Sequence, residues 1–290
     1  MSAFPVPTVH TLAELRERVA QWRARGERVG FVPTMGALHE GHLSLVEEAR
    51  RRARRVIVSV FVNPTQFSVG EDFERYPRTL PADVETLARV DADLCYAPAL
   101  EEIYPPGFVT AVTVGGPAVA DLEDRFRPTH FAGVALVVAK LLNQADSDVA
   151  VFGEKDYQQL LVIERLARDL DLRSEIVGAP TLREDDGLAM SSRNIYLARE
   201  ERLAAPALYR ALREAARRIA EGEPIGHVMA EAREQIAAKG FLIDYLEARH
   251  AETLARVARR HDGPIRLLVA AKLGATRLID NVAVEAAPPQ

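Results

Sequence analysis

Residues 28–62 read RVGFVPTMGALHEGHLSLVEEARRRARRVIVSVFV. RVGFVPT is an almost unbroken apolar run, GHLSLVEEARRRA places its apolar residues at helical spacing, and VIVSVFV is apolar again. Strands without polar alternation are strands buried on both faces, and a helix joining two of them makes a parallel crossover. The stretch therefore predicts one strand-helix-strand unit of a parallel sheet, with Gly36 loosening the turn after the first strand and a helix over residues 41–53.

The same rhythm extends in both directions. Upstream, TLAELRERVAQWRARG (11–26) has a capping box in Thr11 and Glu14, apolar helical spacing, and Gly26 at its close. Downstream, a polar loop (63–79) leads to helix PADVETLARV (81–90) and strand DLCYAP (93–98). A Pro/Gly-rich passage then holds a predicted strand FVTAVTVG (108–115), followed by helix AGVALVVAKLLNQA (132–145) and strand DVAVFG (148–153). Helix DYQQLLVIERLARDL (156–170) and strand EIVGAP (175–180) complete the series. Beyond about residue 185 two helical stretches (199–221 and 225–239) precede three strands, IDYLEARH, PIRLLVAAKLG and TRLIDNVAVE, and the tail 286–290 is expected to fray. The class predicted is α/β: a Rossmann-like doubly wound parallel sheet in a domain over 1–180, and a smaller α+β domain over 181–290.

Composition narrows the function classes. The 290 residues are 48% apolar and 27% charged, which suits a globular chain rather than a disordered one. No apolar run is long enough to span a membrane, and the first ten residues lack the zones of a signal peptide, so a cytoplasmic protein without a membrane partner is expected. Cys95 is the single cysteine, which excludes an internal disulfide and a cysteine-rich zinc site, and its apolar neighbours predict a buried strand thiol. A net charge of -5 argues against a general polyanion binder. The arginines of RRRARR (50–55) fall where cations favour a helix end, with Glu47 and Glu48 one turn back, and no aromatics are interleaved for stacking bases. No nucleic-acid partner is expected.

Polar clusters follow the predicted strands at their carboxyl ends, where ligands of open parallel sheets collect. In PTMGALHEGH (33–42), His39 and His42 stand about one turn apart at a helix start, and free amides, a positive dipole end and Gly41 suit a phosphate. Zinc is disfavoured, since HExxH sites space their histidines by four and no third ligand is evident. A pair of structural histidines stands as the alternative. FGEKDYQQL (152–160) brings Lys155, Asp156 and Gln159 to a helix opening, with the last two on one face. GLAMSSRN (187–194) joins Ser191 and Ser192 to Arg193, a set suited to phosphate oxygens and equally to a plain capping turn. NPTQF (63–67) offers the carboxamides of Asn63 and Gln66 to a hydroxylated partner, and Asp83 could approach a magnesium ion through water. Neither a Walker pattern nor a GxGxxG after the first strand occurs, which leaves a nucleotidyl transferase without a P-loop.

HEGH resembles the HxGH signature of the nucleotidyltransferase superfamily that includes class I aminoacyl-tRNA synthetases. PTMGALHEGH, VFVNPTQF, YPRT, FRPTHFAGVA, FGEKDYQQL, REDDGLAMSSRN and TRLIDN, in that order over residues 33–281, resemble the pantothenate synthetase, or pantoate-beta-alanine ligase, family. The resemblance implies that ATP and (R)-pantoate form pantoyl adenylate, which beta-alanine converts to pantothenate with release of AMP. It implies that Met35, Gly36, Ala37, Leu38, His39, Glu40, Gly41 and His42 line the ATP site, with His42 a proton donor. Gly153, Glu154, Lys155 and Asp156 make the second nucleotide segment, and Met190, Ser191, Ser192 and Arg193 a mobile phosphate-contacting one. Leu182 takes a nucleotide-contacting place where valine is usual. Gln66 and Gln159 would hold pantoate, Gln66 also meeting beta-alanine, and Asn63 joins them. His42, His39, Lys155 and Arg193 are thereby the expected catalytic group, Mg²⁺ the expected ion, the second domain a lid, and a homodimer the expected assembly. A rival within enzymes is another HxGH nucleotidyltransferase, such as a cytidylyltransferase, which would keep the nucleotide in its product.

Overall fold

The computed structural model describes residues 4–67 and 71–285. In chain order the strands are β1 (Thr8–Val9), β2 (Val29–Thr34), β3 (Arg55–Val60), β4 (Leu94–Tyr96), β5 (Val149–Gly153), β6 (Glu175–Ala179), β7 (Leu242–His250), β8 (Ile265–Leu273) and β9 (Thr276–Val284). The helices are α1 (Leu12–Arg23), α2 (Glu40–Arg52), α3 (Leu80–Ala88), α4 (Leu100–Ile103), α5 (Glu123–Phe126), α6 (His130–Ala145), α7 (Tyr157–Asp169), α8 (Arg199–Ala204), α9 (Ala207–Ala220) and α10 (Ile225–Ala237). Two compact units result: Met1–Val119, Glu123–Glu154 and Gln159–Pro180 form one, and Ala120–Leu122, Lys155–Gln158 and Thr181–Gln290 form the other. Segments 120–122 and 155–158, expected with the first domain, thus group with the second unit. The tail 286–290, expected to fray, lies outside the described residues, as do residues 68–70 of the polar loop.

The first unit is built on a parallel sheet in the order β1-β4-β3-β2-β5-β6. Its apolar strands feed two cores because successive side chains point to opposite faces. Phe31, Ile57, Ala150 and Phe152 join one core with Leu15, Val19 and Trp22 of α1 and Val134, Val138 and Leu142 of α6. Their neighbours Val32, Val56, Val58, Val149 and Val151 join the other with Val46 and Ala49 of α2 and Val84 and Leu87 of α3. The capping box of α1 forms as predicted, Thr11 Oγ1 accepting from Glu14 N and Thr11 N donating to Glu14 Oε2, and Gly26 takes φ +70° after it.

Two departures have clear causes. FVTAVTVG alternates as a strand should, and Val112 and Val114 pack on the first core, yet no strand pairs with it among the described residues and Val109 stays 92% exposed. Local alternation supplies a β preference; a ladder also needs a neighbour. β1, missed for its two-residue length, pairs with β4 through Thr8 and Cys95 and through Val9 and Tyr96.

The second unit carries an antiparallel meander, β7-β8-β9. Leu246, Ala248, Ile265, Leu267, Val269 and Leu278 from the strands share a core with Leu208, Leu212 and Ile219 of α9 and Val228 and Ile236 of α10. The stretch expected as one helix over 199–221 is divided into α8 and α9. Pro206 lies between them and lacks the amide hydrogen that would continue the helical ladder.

Candidate active site

The chain runs from β2 outward to β3 and β4, then returns to place β5 on the other side of β2. Strand order reverses there, and the crevice beyond the carboxyl ends of β2 and β5 is where such sheets bind ligands. β2 ends at Thr34, whose hydroxyl donates to Ser59 O (2.7 Å) and accepts from Gly36 N (3.2 Å). Gly36 and Ala37 then turn through left-handed backbone, φ +81° and +51°. Glycine adopts this without penalty; alanine does so at a cost of about 1 kcal/mol or more, so the turn needs an external hold.

Asp83 of α3 supplies it. Its Oδ1 accepts from Leu38 N (2.8 Å), its Oδ2 from Ala37 N (3.2 Å) and Thr79 Oγ1 (3.3 Å), and the residue is 2% exposed. Burial pushes the Asp83 carboxyl upward, opposed by the amides of Leu38 and Ala37. The expected magnesium role does not fit these contacts, because both oxygens are buried and committed to the protein. Among the described residues no group of three His, Cys, Asp or Glu side chains is arranged to hold a metal.

After this turn α2 starts, with both predicted histidines in its cap. Gly41 N donates to His39 Nδ1 (3.1 Å) and His39 N donates to His42 Nδ1 (3.3 Å), while the ring centroids lie 4.1 Å apart. An Nδ1 that accepts carries no hydrogen, so each neutral imidazole holds its proton on Nε2. The two readings of the pair, structural cap and phosphate donor, are thus compatible: one nitrogen of each ring caps the helix and the other is a donor. Helix dipole and remaining first-turn amides add to that positive end. Glu40 pairs with Arg89 at 2.7 Å on a half-exposed surface.

Beside this turn stands the carboxamide cluster. Gln66 Nε2 donates to Met35 Sδ (2.8 Å) and Gln66 Oε1 accepts from Asn63 Nδ2 (3.1 Å), so the expected nucleotide turn and the expected pantoate glutamine touch through Met35. Asn63 has a different place from the one expected. It is 1% exposed, its Oδ1 accepts from Tyr104 OH (2.9 Å), Thr65 Oγ1 (3.0 Å) and Thr65 N (3.3 Å), and its Nδ2 also donates to Gly133 O (3.3 Å). With these bonds made inside the protein, Asn63 orients the Gln66 carboxamide. Gly133 is required at this contact: a Cβ there would lie 2.1 Å from Thr65 O. Gly153 ends β5, Glu154 opens the short turn Glu154–Asp156, and Gln159 is the half-buried third residue of α7. Asp156 ends the short turn that leads directly into α7.

In the second unit, Lys155 and the 182–193 segment hang on two adjacent residues of β9. Asn281 Nδ2 donates to Lys155 O (2.9 Å), and Lys155 Nζ lies 3.6 Å from Asp156 Oδ2. Asp280, 5% exposed, receives both Nη groups of Arg183 at 2.7 and 2.8 Å, and the same guanidinium stacks 3.5 Å from the Tyr209 ring centroid. Arg183 anchors a tight hairpin in which Met190 N donates to Leu182 O (3.0 Å), leaving Leu182 39% exposed. Ser191 Oγ then accepts from Arg193 N (3.2 Å), capping the turn Ser192–Tyr196. Arg202 pairs at 2.6 Å with both Glu184 and Asp186, which offsets acidic charge in the segment that carries Ser191, Ser192 and Arg193. Arg183, Asp280, Asn281, Arg127 and His130 were not singled out from sequence, although all lie in motifs quoted above; their partners are distant in the chain.

Four arginines of the run are ion-paired: Arg50 with Asp93, Arg51 and Arg52 with Glu48, and Arg55 with Glu27 and Asp93. No helix among the described residues is long and apolar enough to cross a membrane.

Comparison with known proteins agrees over the whole chain. The family profile described as pantoate-beta-alanine ligase matches residues 7–283. A pantothenate synthetase of Rhodopseudomonas palustris (strain HaA2) is 58% identical over 280 residues, 97% of this chain and 99% of that one. The crystal structure of a pantothenate synthetase from Thermus thermophilus superposes with a TM-score of 0.91 at 48% identity, covering 96% of this chain and 99% of that one. A pantoate-beta-alanine ligase from Francisella tularensis, complexed with beta-gamma ATP and beta-alanine, gives 0.79 at 32% identity over 98% of this chain and 100% of that one. A full-length match in sequence and fold, with the HEGH turn at the sheet's switch point, makes this chain a member of the pantoate-beta-alanine ligase family.

Proposed function

We propose that the chain is an ATP-dependent ligase that joins (R)-pantoate to beta-alanine in two steps, releasing pyrophosphate and then AMP, and so makes the coenzyme A precursor pantothenate. The observation that carries this reading is the Met35–Gln66 contact: the turn that leads into the helix-capping imidazole pair touches the Gln66 carboxamide. In the first step a pantoate carboxylate oxygen attacks the α-phosphorus and the bond to pyrophosphate breaks. In the second the neutral amine of beta-alanine attacks the acyl carbon, AMP leaves with the bonding pair, and the ammonium proton passes to solvent. Adenylation is needed because a carboxylate is a poor electrophile toward an amine.

His39 and His42 are assigned to the triphosphate through Nε2–H, joined by Lys155 and by Ser191, Ser192 and Arg193 as further donors to the oxygens on which charge develops. The backbone of residues 35–42 and 153–156 lines the nucleotide site, with Met190 beside it and exposed Leu182 as an apolar contact for it. Gln66 and Gln159 hold pantoate, and Gln66 also meets beta-alanine. The nucleotide substrate is ATP as its magnesium complex, the ion entering on the triphosphate. The domain over 181–290 serves as a lid that excludes water from the acyl phosphate. The assembly is a homodimer, a reading supported by the apolar side chain of Val109 standing 92% exposed and tested by light scattering of the purified chain. A cytosolic setting agrees with Cys95 as a buried free thiol.

The deciding experiment is ATP-pyrophosphate exchange with pantoate present and beta-alanine absent. Pantoate-dependent exchange is expected, followed by stoichiometric AMP when beta-alanine is added. Exchange that ignores pantoate, or a nucleotide retained in the product, rejects the reading in favour of another HxGH nucleotidyltransferase.

A further inference from the structure

Resting on the reading of Gln66 as the residue that holds pantoate, we infer that Arg127 and His130 are positioning residues for it. They fix its peptide carbonyl in a closed ring of hydrogen bonds and so set the direction in which its carboxamide meets the substrate. Both residues lie in the FRPTHFAGVA motif. His130 Nδ1 lies 2.9 Å and Arg127 Nη2 3.3 Å from Gln66 O, while Arg127 Nη1 lies 3.2 Å from His130 Nε2. Glu71 holds the guanidinium through Nε (2.6 Å) and Nη2 (2.8 Å).

Each partner dictates the next. A guanidinium only donates, so His130 Nε2 must accept; the ring proton is then on Nδ1, which faces a carbonyl that only accepts. Burial, with the Arg127 charge beside it, pulls the His130 imidazole down to about 4, in agreement with a neutral ring. His130 is 6% exposed, which removes it from contact with substrate and leaves it to act through Gln66. From the other side Asn63 and Met35 engage one oxygen lone pair and one amide hydrogen of the Gln66 side chain. A carboxamide has a second of each, and backbone and side-chain restraints together aim them.

The test uses His130→Leu, which keeps bulk and loses the donor, and His130→Asn, whose amide returns an N–H near the place of Nδ1. Pyrophosphate exchange would be measured against pantoate and against ATP, with thermal melting as the check of folding. Loss of this bond is expected to raise the KM for pantoate about tenfold in His130→Leu with the KM for ATP unchanged, and His130→Asn should recover most of it. A folded His130→Leu with an unmoved pantoate KM overturns the inference. So does an equal rise in both KM values, or an Asn variant no better than Leu. Should His130→Leu fail to fold, Glu71→Gln loosens the guanidinium and is expected to raise the pantoate KM alone; an unchanged value overturns the inference. Wild-type exchange without pantoate dependence would instead reject the proposed activity itself, and this inference with it.

Discussion

His42 caps a helix and is proposed to serve the phosphates, and melting and exchange rate read the two separately in one variant. Its Nδ1 caps α2 by accepting from His39 N, a contact worth about 1 kcal/mol to the helix, and the proposed role assigns its Nε2–H to a phosphate oxygen. His42→Ala should therefore remain folded with a slightly lower melting temperature, yet lose about a hundredfold to a thousandfold in exchange rate if it acts as a preorganised donor. Near-normal exchange by a folded variant would remove His42 from the chemistry. His130 answers to pH in the opposite sense from a surface histidine. Its folded-state value is lowered from 6.5 to about 4, so between those limits the unfolded chain binds the proton first. Stability is then complete above about pH 6.5, falls as pH drops through the window, and levels off below about pH 4, with a total on the order of 3 kcal/mol. Urea midpoints from pH 7 to 4.5 would show this slope in the wild type, and His130→Asn should flatten it; equal slopes would place the proton uptake elsewhere. Cys95 contributes nothing comparable, since burial pushes its thiol up to about 12 and leaves it unreactive.

The packing of α6 on the 63–66 turn shows how an element transmits position. Adding one carbon at Gly133 forces a contact of 2.1 Å with Thr65 O, so Gly133→Ala must separate the helix from the turn that carries Gln66. The helix propensity gained by alanine, under about 1 kcal/mol, is smaller than the overpacking cost of about 1–3 kcal/mol. A lower melting temperature together with a raised KM for pantoate is expected from calorimetry and exchange kinetics; a stabilised variant would refute the contact. Such contacts explain what could and could not be seen in the sequence. The alternation of strands and helices was legible because two-sided burial writes itself as continuous apolar runs, as in VIVSVFV. FVTAVTVG misled because pairing depends on what lies beside a segment. The direction of the Asn63 carboxamide left no sign in the sequence, because it is set by Tyr104 and Gly133, far along the chain. The fork between Arg183 and Asp280 spans 97 positions and left no local trace. The roles of Lys155 and Arg193 rest on family likeness, since charged residues at a helix or turn opening are common.

For the molecule as a whole, charge is distributed so that four of the arginines in the basic run meet carboxylates where they stand. Replacing Arg51 and Arg52 by glutamine removes pairs with Glu48 at 2.5 and 2.7 Å on an exposed helix end. Such pairs contribute under about 1 kcal/mol each, so turnover should change less than twofold and melting only slightly. A large fall in turnover would give these arginines a part in catalysis that their position does not suggest. The order of the sheet has a further effect during synthesis. Gly30 and Phe31 of β2 pair with Val149 and Ala150 of β5, well over a hundred residues later in the chain. Until the ribosome has released that later strand, one long flank of β2 carries bare amides and carbonyls beside the nascent HEGH segment. An unpaired strand flank is a template for pairing with another chain, so a nascent chain halted before residue 149 is expected to be more prone to aggregate than one that has passed it.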